Sequence, residues 1–302
     1  MSALMFEEKL NELNIEFKKN VNLSEHTSFK IGGNAEIFVM PASKAELVSA
    51  VNLAREQGIG YFILGKGSNI LVSDLGIEGA VIDTSKLNKI ERNENIITCE
   101  CGVSLIRLCN FAAENSLKGL EFAFGIPGSV GGAMIMNAGA YGGEISAAAK
   151  SAECLDIGGN IVNLKLSASD FSYRSSIFKK KDLIVLSASF SLENGDCESI
   201  RSSMNEFMKR RKEKQPLEYP SAGSTFKRPE GYFAGALIEK NGFKGFSVGG
   251  AQVSEKHAGF IINKNRACEK DVSALIKIIQ EKVLKNDGVL LEPEVIKVGR
   301  KE

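Results

Sequence analysis

The chain contains no tryptophan, only two histidines and only six prolines in 302 residues. With His26 and His257 alone, and no His/Cys grouping at metal-ligand spacing, no metal centre is expected. The six cysteines, Cys99, Cys101, Cys109, Cys154, Cys197 and Cys268, lack the spacing of a disulfide framework, and a chain this long does not need one. Reduced thiols in a cytoplasmic protein are expected. An excess of charge of one sign is also missing. The 38 basic and 37 acidic side chains leave a net charge of +1, so no global field draws nucleic acid or an anionic membrane. No apolar run approaches the ~18 residues of a membrane span. The opening MSALMFEEKLNELN is acidic and amphipathic, unlike a signal peptide.

What the chain does have is glycine, 30 residues of it. Eight fall between positions 119 and 143, in GLEFAFGIPGSVGGAMIMNAGAYGG. Bare backbone of this kind takes positive φ and approaches a ligand closely, and successive free N–H groups form an anion-binding concavity. A flexible linker would be polar throughout. Here Ile126, Val130, Ala133, Met134 and Ile135 are apolar and Pro127 stiffens a turn. The pattern predicts a rigid loop around a phosphate-bearing ligand; the alternative is a tightly turned buried corner.

Composition is that of a globular chain, 43% apolar and 25% charged, and the length suggests about two domains at ~150 residues each. Helices are expected over 3–14, 43–56, 104–115, 196–213, 233–240 and 270–285. Strands are expected at 61–64, 70–72, 80–82, 96–99, 152–156, 161–164, 183–191, 259–263 and 295–298. Their irregular alternation predicts an α+β fold. Residues 1–195 are expected to form a first domain of two α/β lobes divided near 75–85. Residues 196–302 would form an α+β second domain, with helix 196–213 as the bridge.

A second glycine loop, Gly65-Lys66-Gly67-Ser68-Asn69, follows the apolar run Tyr61–Leu64. It is neither a Rossmann fingerprint nor a P-loop. Ile70 stands where the third glycine belongs, and the following Ile-Leu-Val favours a strand over the helix that a pyrophosphate needs beneath it. Gly67 occupies the place of the magnesium-binding Ser/Thr. A strand–turn–strand nest is expected, its backbone N–H groups, the Ser68 hydroxyl and the Asn69 amide gripping a diphosphate. A glycine hairpin with polar trim is the alternative. Valine at Gly67 or Gly128 is expected to leave a folded protein in which the Cβ and its branch occupy the ligand's approach.

Three motifs together, Asn22-Leu-Ser-Glu-His26-Thr27-Ser28-Phe-Lys-Ile-Gly32-Gly33, LGKGSNILVSD and GIPGSVGGAMIMNAGAYGGEI, resemble the UDP-N-acetylenolpyruvoylglucosamine reductase family. The resemblance runs from about residue 20 to 298 with the motifs in the family's order. It implies a two-lobed FAD-binding domain of the vanillyl-alcohol-oxidase/PCMH type followed by a substrate-binding domain. Non-covalent FAD would have its diphosphate between the glycine loops. That assigns Gly65, Lys66, Gly67, Ser68, Asn69, Ile126, Pro127, Gly128, Ser129, Gly139 and Tyr141 to the cofactor. The implied reaction is the NADPH-dependent reduction of UDP-N-acetylglucosamine enolpyruvate to UDP-N-acetylmuramate. It serves cytoplasmic peptidoglycan precursor synthesis, and so cell-wall growth, shape and division.

The chemistry falls to residues that alone look ordinary. Arg174, in Tyr173-Arg174-Ser175-Ser176, offers a planar fork for a carboxylate, although a surface ion pair is the commoner fate of one arginine. Ser224, in Ser221-Ala-Gly-Ser224-Thr-Phe, lacks a nucleophile elbow. Glu292 and Glu294 straddle Pro293. The resemblance makes Arg174 and Glu294 the stabilisers of charge developing on the substrate carboxylate, with Glu294 effective only when protonated, and makes Ser224 the proton donor to the adjacent carbon. It places Arg211 and Lys214 at the substrate; His257 is a further candidate contact. Arg228 stands where another branch of the family has asparagine. No insertion supplies that branch's mobile tyrosine loop, so the chain resembles the shorter branch. An FAD oxidase of the same fold and a non-catalytic nucleotide-sugar sensor are the competing functions.

Overall fold

In a computed structural model, residues 2–300 are described. The chain separates into two compact units. The first takes Met1–Lys18, Phe38–Lys66 and Ala80–Arg211; the second takes Lys19–Ile37, Gly67–Gly79 and Lys212–Glu302. This division differs from a cut at 195/196. Most of the bridging helix belongs to the first unit because Phe207 stacks on Tyr141 there, with ring centroids 4.8 Å apart. Segments 19–37 and 67–79 belong to the second because Phe29, Ile31 and Leu71 join its buried core.

Eight helices are described: α1 (Ser2–Glu12), α2 (Lys44–Glu56), α3 (Leu105–Glu114), α4 (Val130–Met136), α5 (Ile177–Lys180), α6 (Cys197–Lys214), α7 (Ala234–Lys240) and α8 (Glu269–Asp287). Their starts follow capping chemistry. Ser43 Oγ accepts from Glu46 N–H to open α2, and Ser104 Oγ accepts from Arg107 N–H to open α3. Gly288, at φ 70°, closes α8. No described helix is long and apolar enough to cross a membrane.

The first unit is built on a five-stranded antiparallel sheet in the order Ile161–Lys165, Ala149–Leu155, Ile184–Ser191, Ile96–Glu100, Ile90–Asn93. Alternation drives it: Ile97 and Cys99 are buried while Thr98 between them is exposed. Strand Tyr61–Leu64 pairs in parallel with Ala80–Asp83, so the glycine loop leaves the end of a half-buried strand at buried Leu64.

The second unit carries an antiparallel sheet in the order Ser221–Ser224, Phe260–Asn263, Ala251–Val253, Ser247–Val248. Leu275, Ile276 and Ile279 of α8 and Leu237 and Ile238 of α7 enter one apolar cluster with Phe226, Val253 and Ile261. Strand Ile296–Val298 pairs in parallel with Ile70–Val72, register Ile296↔Ile70. The strand after the glycine loop is therefore held by the end of the chain. Strands 61–64 and 70–72 pair with different partners, so they do not form a glycine hairpin.

Candidate active site

The Gly65–Asn69 loop is bare in the sense that matters for an anion. Among the described residues, no protein acceptor takes the backbone N–H of Gly65, Lys66, Gly67, Ser68 or Asn69. Gly67 has φ +58°, and a Cβ there would lie 2.3 Å from the His26 carbonyl oxygen. Its glycine is required by the protein's own backbone, which overturns the expectation that valine at this position would spare the fold. Ser28 fixes the loop, its N–H donating to Gly67 O at 3.1 Å and its hydroxyl donating to Ser221 O at 2.7 Å. Asn69 Nδ2 donates to the Glu294 carbonyl at 3.2 Å, so that bond of its amide is spent on the protein.

The 119–143 segment behaves differently from a continuous nest. Val130–Met136 is a helix, capped where Ser129 Oγ accepts from Gly132 N–H. The amides of Val130 and Gly131 donate to Val103 O and Cys101 O, both at 2.8 Å. Those N–H groups are therefore committed to the protein and leave no concavity there. Within the first unit Gly65 closely approaches Ser129, since a Cβ on Gly65 would lie 2.4 Å from Ser129 Oγ. Gly128 is open by comparison, its Cβ position reaching nothing nearer than Leu105 at 3.5 Å.

Arg174 sits in the two-residue turn between Phe171–Ser172 and Ser175–Ser176, at φ 53°. A non-glycine residue there carries a conformational cost of about 1–2 kcal/mol. The hairpin is anchored on the C-terminal end of α4, where Ser176 Oγ donates to Ile135 O at 2.8 Å. Asn137, the left-handed cap of α4, donates Nδ2 to Glu144 Oε2 at 2.8 Å and to Ser172 O at 3.4 Å. Sequence reading missed Asn137; its one local signal was an Asn-Ala-Gly run at a helix end. The Arg174 guanidinium lies 5.1 Å from the Tyr173 ring centroid.

Arg211 is half-buried, and burial pushes its guanidinium below the ordinary range. No carboxylate of a described residue pairs with it. An unpaired, partly desolvated cation of this kind suits an anionic ligand. It packs close to Gly125, where a Cβ would meet its Cδ at 2.9 Å.

In the second unit, Ser224 ends the strand Ser221–Ser224, and the residues that follow it run alongside residues 292–294. Glu294 N–H donates to Thr225 O at 2.8 Å, Lys227 N–H donates to Glu292 O at 2.8 Å, and Phe226 bridges Pro293. The Lys227–Glu292 ion pair, at 2.9 Å, engages the other glutamate of the pair. His257 lies close by: its ring meets Phe260, the pair partner of Ser224, with centroids 4.9 Å apart. Its Nδ1 accepts from Gly259 N–H at 3.0 Å. Burial, chiefly, holds its pKa below the ordinary value. Lys214, at the end of α6, is exposed. Arg228 lies over the Phe233 ring at 4.0 Å. No described cluster of three or more His, Cys, Asp or Glu is placed to hold a metal ion.

Residues 35–165 match the FAD-binding domain family, and residues 215–298 match the UDP-N-acetylenolpyruvoylglucosamine reductase C-terminal domain. The reductase of that name from Clostridium novyi is 51% identical over 94% of this chain and 92% of its own length. The one from Caldanaerobacter subterraneus is 50% identical over 97% of this chain and 98% of its own. The chain belongs to the UDP-N-acetylenolpyruvoylglucosamine reductase family. A crystal structure of the Thermus caldophilus reductase superposes with a TM-score of 0.79 at 33% identity, covering 94% of this chain and 98% of that one. Membership makes this an FAD-dependent oxidoreductase of α+β fold with NADPH as hydride donor. The residues present fit the flavin: five consecutive unclaimed amides for a diphosphate, and a Gly65–Ser129 approach too close for any side chain at 65.

Proposed function

We propose that this chain reduces the enolpyruvyl ether of UDP-N-acetylglucosamine to the lactyl ether of UDP-N-acetylmuramate, in the cytoplasm, without nucleic-acid or membrane partners. Bound FAD supplies the capacity to take hydride from NADPH and pass it on. Residues 1–195, in two lobes divided near 75–85, would serve the flavin. Residues 196–302, joined through α6, would serve the sugar nucleotide. The 35–165 and 215–298 family matches support this division of labour. Gly65, Lys66, Gly67, Ser68 and Asn69, with Ile126, Pro127, Gly128, Ser129, Gly139 and Tyr141, would hold the non-covalent cofactor; Arg211, Lys214 and His257 would contact substrate.

The enol ether is electron-rich and resists hydride. Its terminal carbon becomes electrophilic through conjugation with the carboxylate only if the developing negative charge is stabilised. Arg174 offers a permanent cationic fork for that charge, and a protonated Glu294 adds a hydrogen bond to it. Ser224 then gives its hydroxyl proton to the adjacent carbon, a transfer that suits so basic an acceptor.

The observation that carries this reading is one connected network in the second unit. Thr225, next to Ser224, is bonded to Glu294 at 2.8 Å, and Glu294 is bonded to Asn69 of the glycine loop at 3.2 Å. These bonds to the Glu294 main chain support the reading, because they keep the backbone of Ser224–Thr225, Glu294 and the glycine loop at fixed spacing. Ser224→Ala tests it by stopped-flow absorbance. Flavin reduction by NADPH should stay nearly intact, while flavin reoxidation by the enolpyruvyl nucleotide slows about 10²–10⁴-fold. Equal slowing of both halves would reject the role.

A further inference from the structure

Ser224 follows an irregularity in its own strand. Ser221 pairs with Ile262 and Ser224 with Phe260, so three steps along one strand match two along the other. Gly223 lies inside this bulge at φ +78°, with nothing within 4 Å of a Cβ position, so its conformation and not its size calls for glycine. A bulge of this kind re-aims the next side chain and interrupts the ladder. Here the Ile261 amide, beside the slip, donates to a side chain: Thr225 Oγ1 accepts it at 3.1 Å.

Thr225 is bonded on every polar atom. Its N–H donates to Gly259 O at 2.8 Å, its carbonyl accepts from Glu294 N–H at 2.8 Å, and its hydroxyl oxygen holds Ile261. Thr225 is 4% exposed and Ile261 1%, so water offers Ile261 N–H no substitute. Ser224 Oγ, by contrast, has no hydrogen-bond partner among the described residues. Its aim comes from backbone placement alone.

We propose that the Thr225 hydroxyl is a positioning group for the reaction: by capping the Ile261 amide it locks the bulge that aims Ser224. This rests on Ser224 being the proton donor. Thr225 never touches the reacting atoms in this scheme. Without the hydroxyl, the buried Ile261 amide loses the acceptor that the bulge presents to it, and the strand that carries Ser224 loses that tether. The β-branched side chain, stiff at χ1, keeps Oγ1 pre-aimed.

The test uses the flavin-loaded enzyme with Thr225→Val, which keeps shape and removes the acceptor, and Thr225→Ser, which keeps the acceptor. Thr225→Ala replaces the valine variant if that one fails to fold. Thr225→Val should slow flavin reoxidation by the enolpyruvyl nucleotide about tenfold or more, as expected of a displaced donor. It should also raise the solvent deuterium isotope effect on that step and leave flavin reduction by NADPH within about twofold. Hydrogen exchange in the peptide containing Ile261 should quicken, and Thr225→Ser should restore all of these. Unchanged reoxidation alongside faster exchange, or equal slowing of both half-reactions, overturns the proposal. Ser224→Ala is run in parallel. If it slows reoxidation selectively and Thr225→Val does not, the positioning role alone falls; if it does not, the donor role falls and the positioning role with it.

Discussion

The side-chain amide of Asn69 donates to the main-chain carbonyl of Glu294 at 3.2 Å, across 225 positions of sequence. Ile296 N–H returns a bond to Asn69 O at 3.0 Å, so the glycine loop and the glutamate segment clasp each other. Asn69→Ala should lower stability by about 1 kcal/mol, the usual net worth of one hydrogen bond. Asn69→Asp should be worse, because it sets a carboxylate against a carbonyl. Both should weaken FAD retention in a fluorescence titration, aspartate more than alanine. The reverse order in denaturant melts and titrations would contradict the clasp.

The glycines at 67 and 128 should fail in different ways. At Gly67 a side chain strikes the His26 carbonyl and Thr27 Cα, at 2.3 and 2.9 Å, and the φ of +58° is unfavourable besides. Gly67→Val should yield little folded protein. At Gly128 the nearest protein atom is 3.5 Å from the Cβ position. Gly128→Val should fold, give a native circular dichroism spectrum and lose its yellow colour. A yellow Gly128→Val with full flavin stoichiometry would move the cofactor away from this loop.

Acid stability should depend on His257. Burial, with Lys244 adding to it, lowers its folded pKa below 6.5, so the unfolded chain binds the proton more readily. The neutral ring's contribution is complete above pH 6.5 and is lost as pH falls from there through the folded pKa. His257→Gln should flatten the fall in unfolding free energy over that window. Parallel curves for the two proteins below pH 6.5 would exclude the contribution.

The thiols should separate into two classes. Burial pushes Cys101 and Cys154 up to about 12, and raises Cys99 and Cys109 further. Iodoacetamide at neutral pH should label partly exposed Cys197 and Cys268 and spare the other four until denaturant is added. Mass spectrometry of the native protein showing early modification of Cys99 or Cys109 would refute this.

Local chemistry made much of the fold legible. Capping serines at 43 and 104, the apolar run Tyr61–Leu64 and the glycine stop at 242 each set an element through interactions a few residues long. The short helix Val130–Met136 was hidden by Gly131 and Gly132, which are poor helix formers. Packing against strand Ile184–Ser191 and the Ser129 cap overrode that preference.

The sequence by itself determined the α+β class and, through its glycine motifs, the family, because those depend on residue identity and near spacing. Tertiary structure alone decided that segments 19–37 and 67–79 pack with the C-terminal region, that Gly67 is glycine for the sake of His26, and that Thr225 ties Ser224 to Glu294. The first is a side-chain choice made by the core through Phe29, Ile31 and Leu71, and the other two are contacts between backbone atoms far apart in the chain. Every residue has the same N–H and C=O to offer, proline's missing N–H excepted, so pairing is chosen by how the whole apolar core closes, and no short stretch of sequence records it.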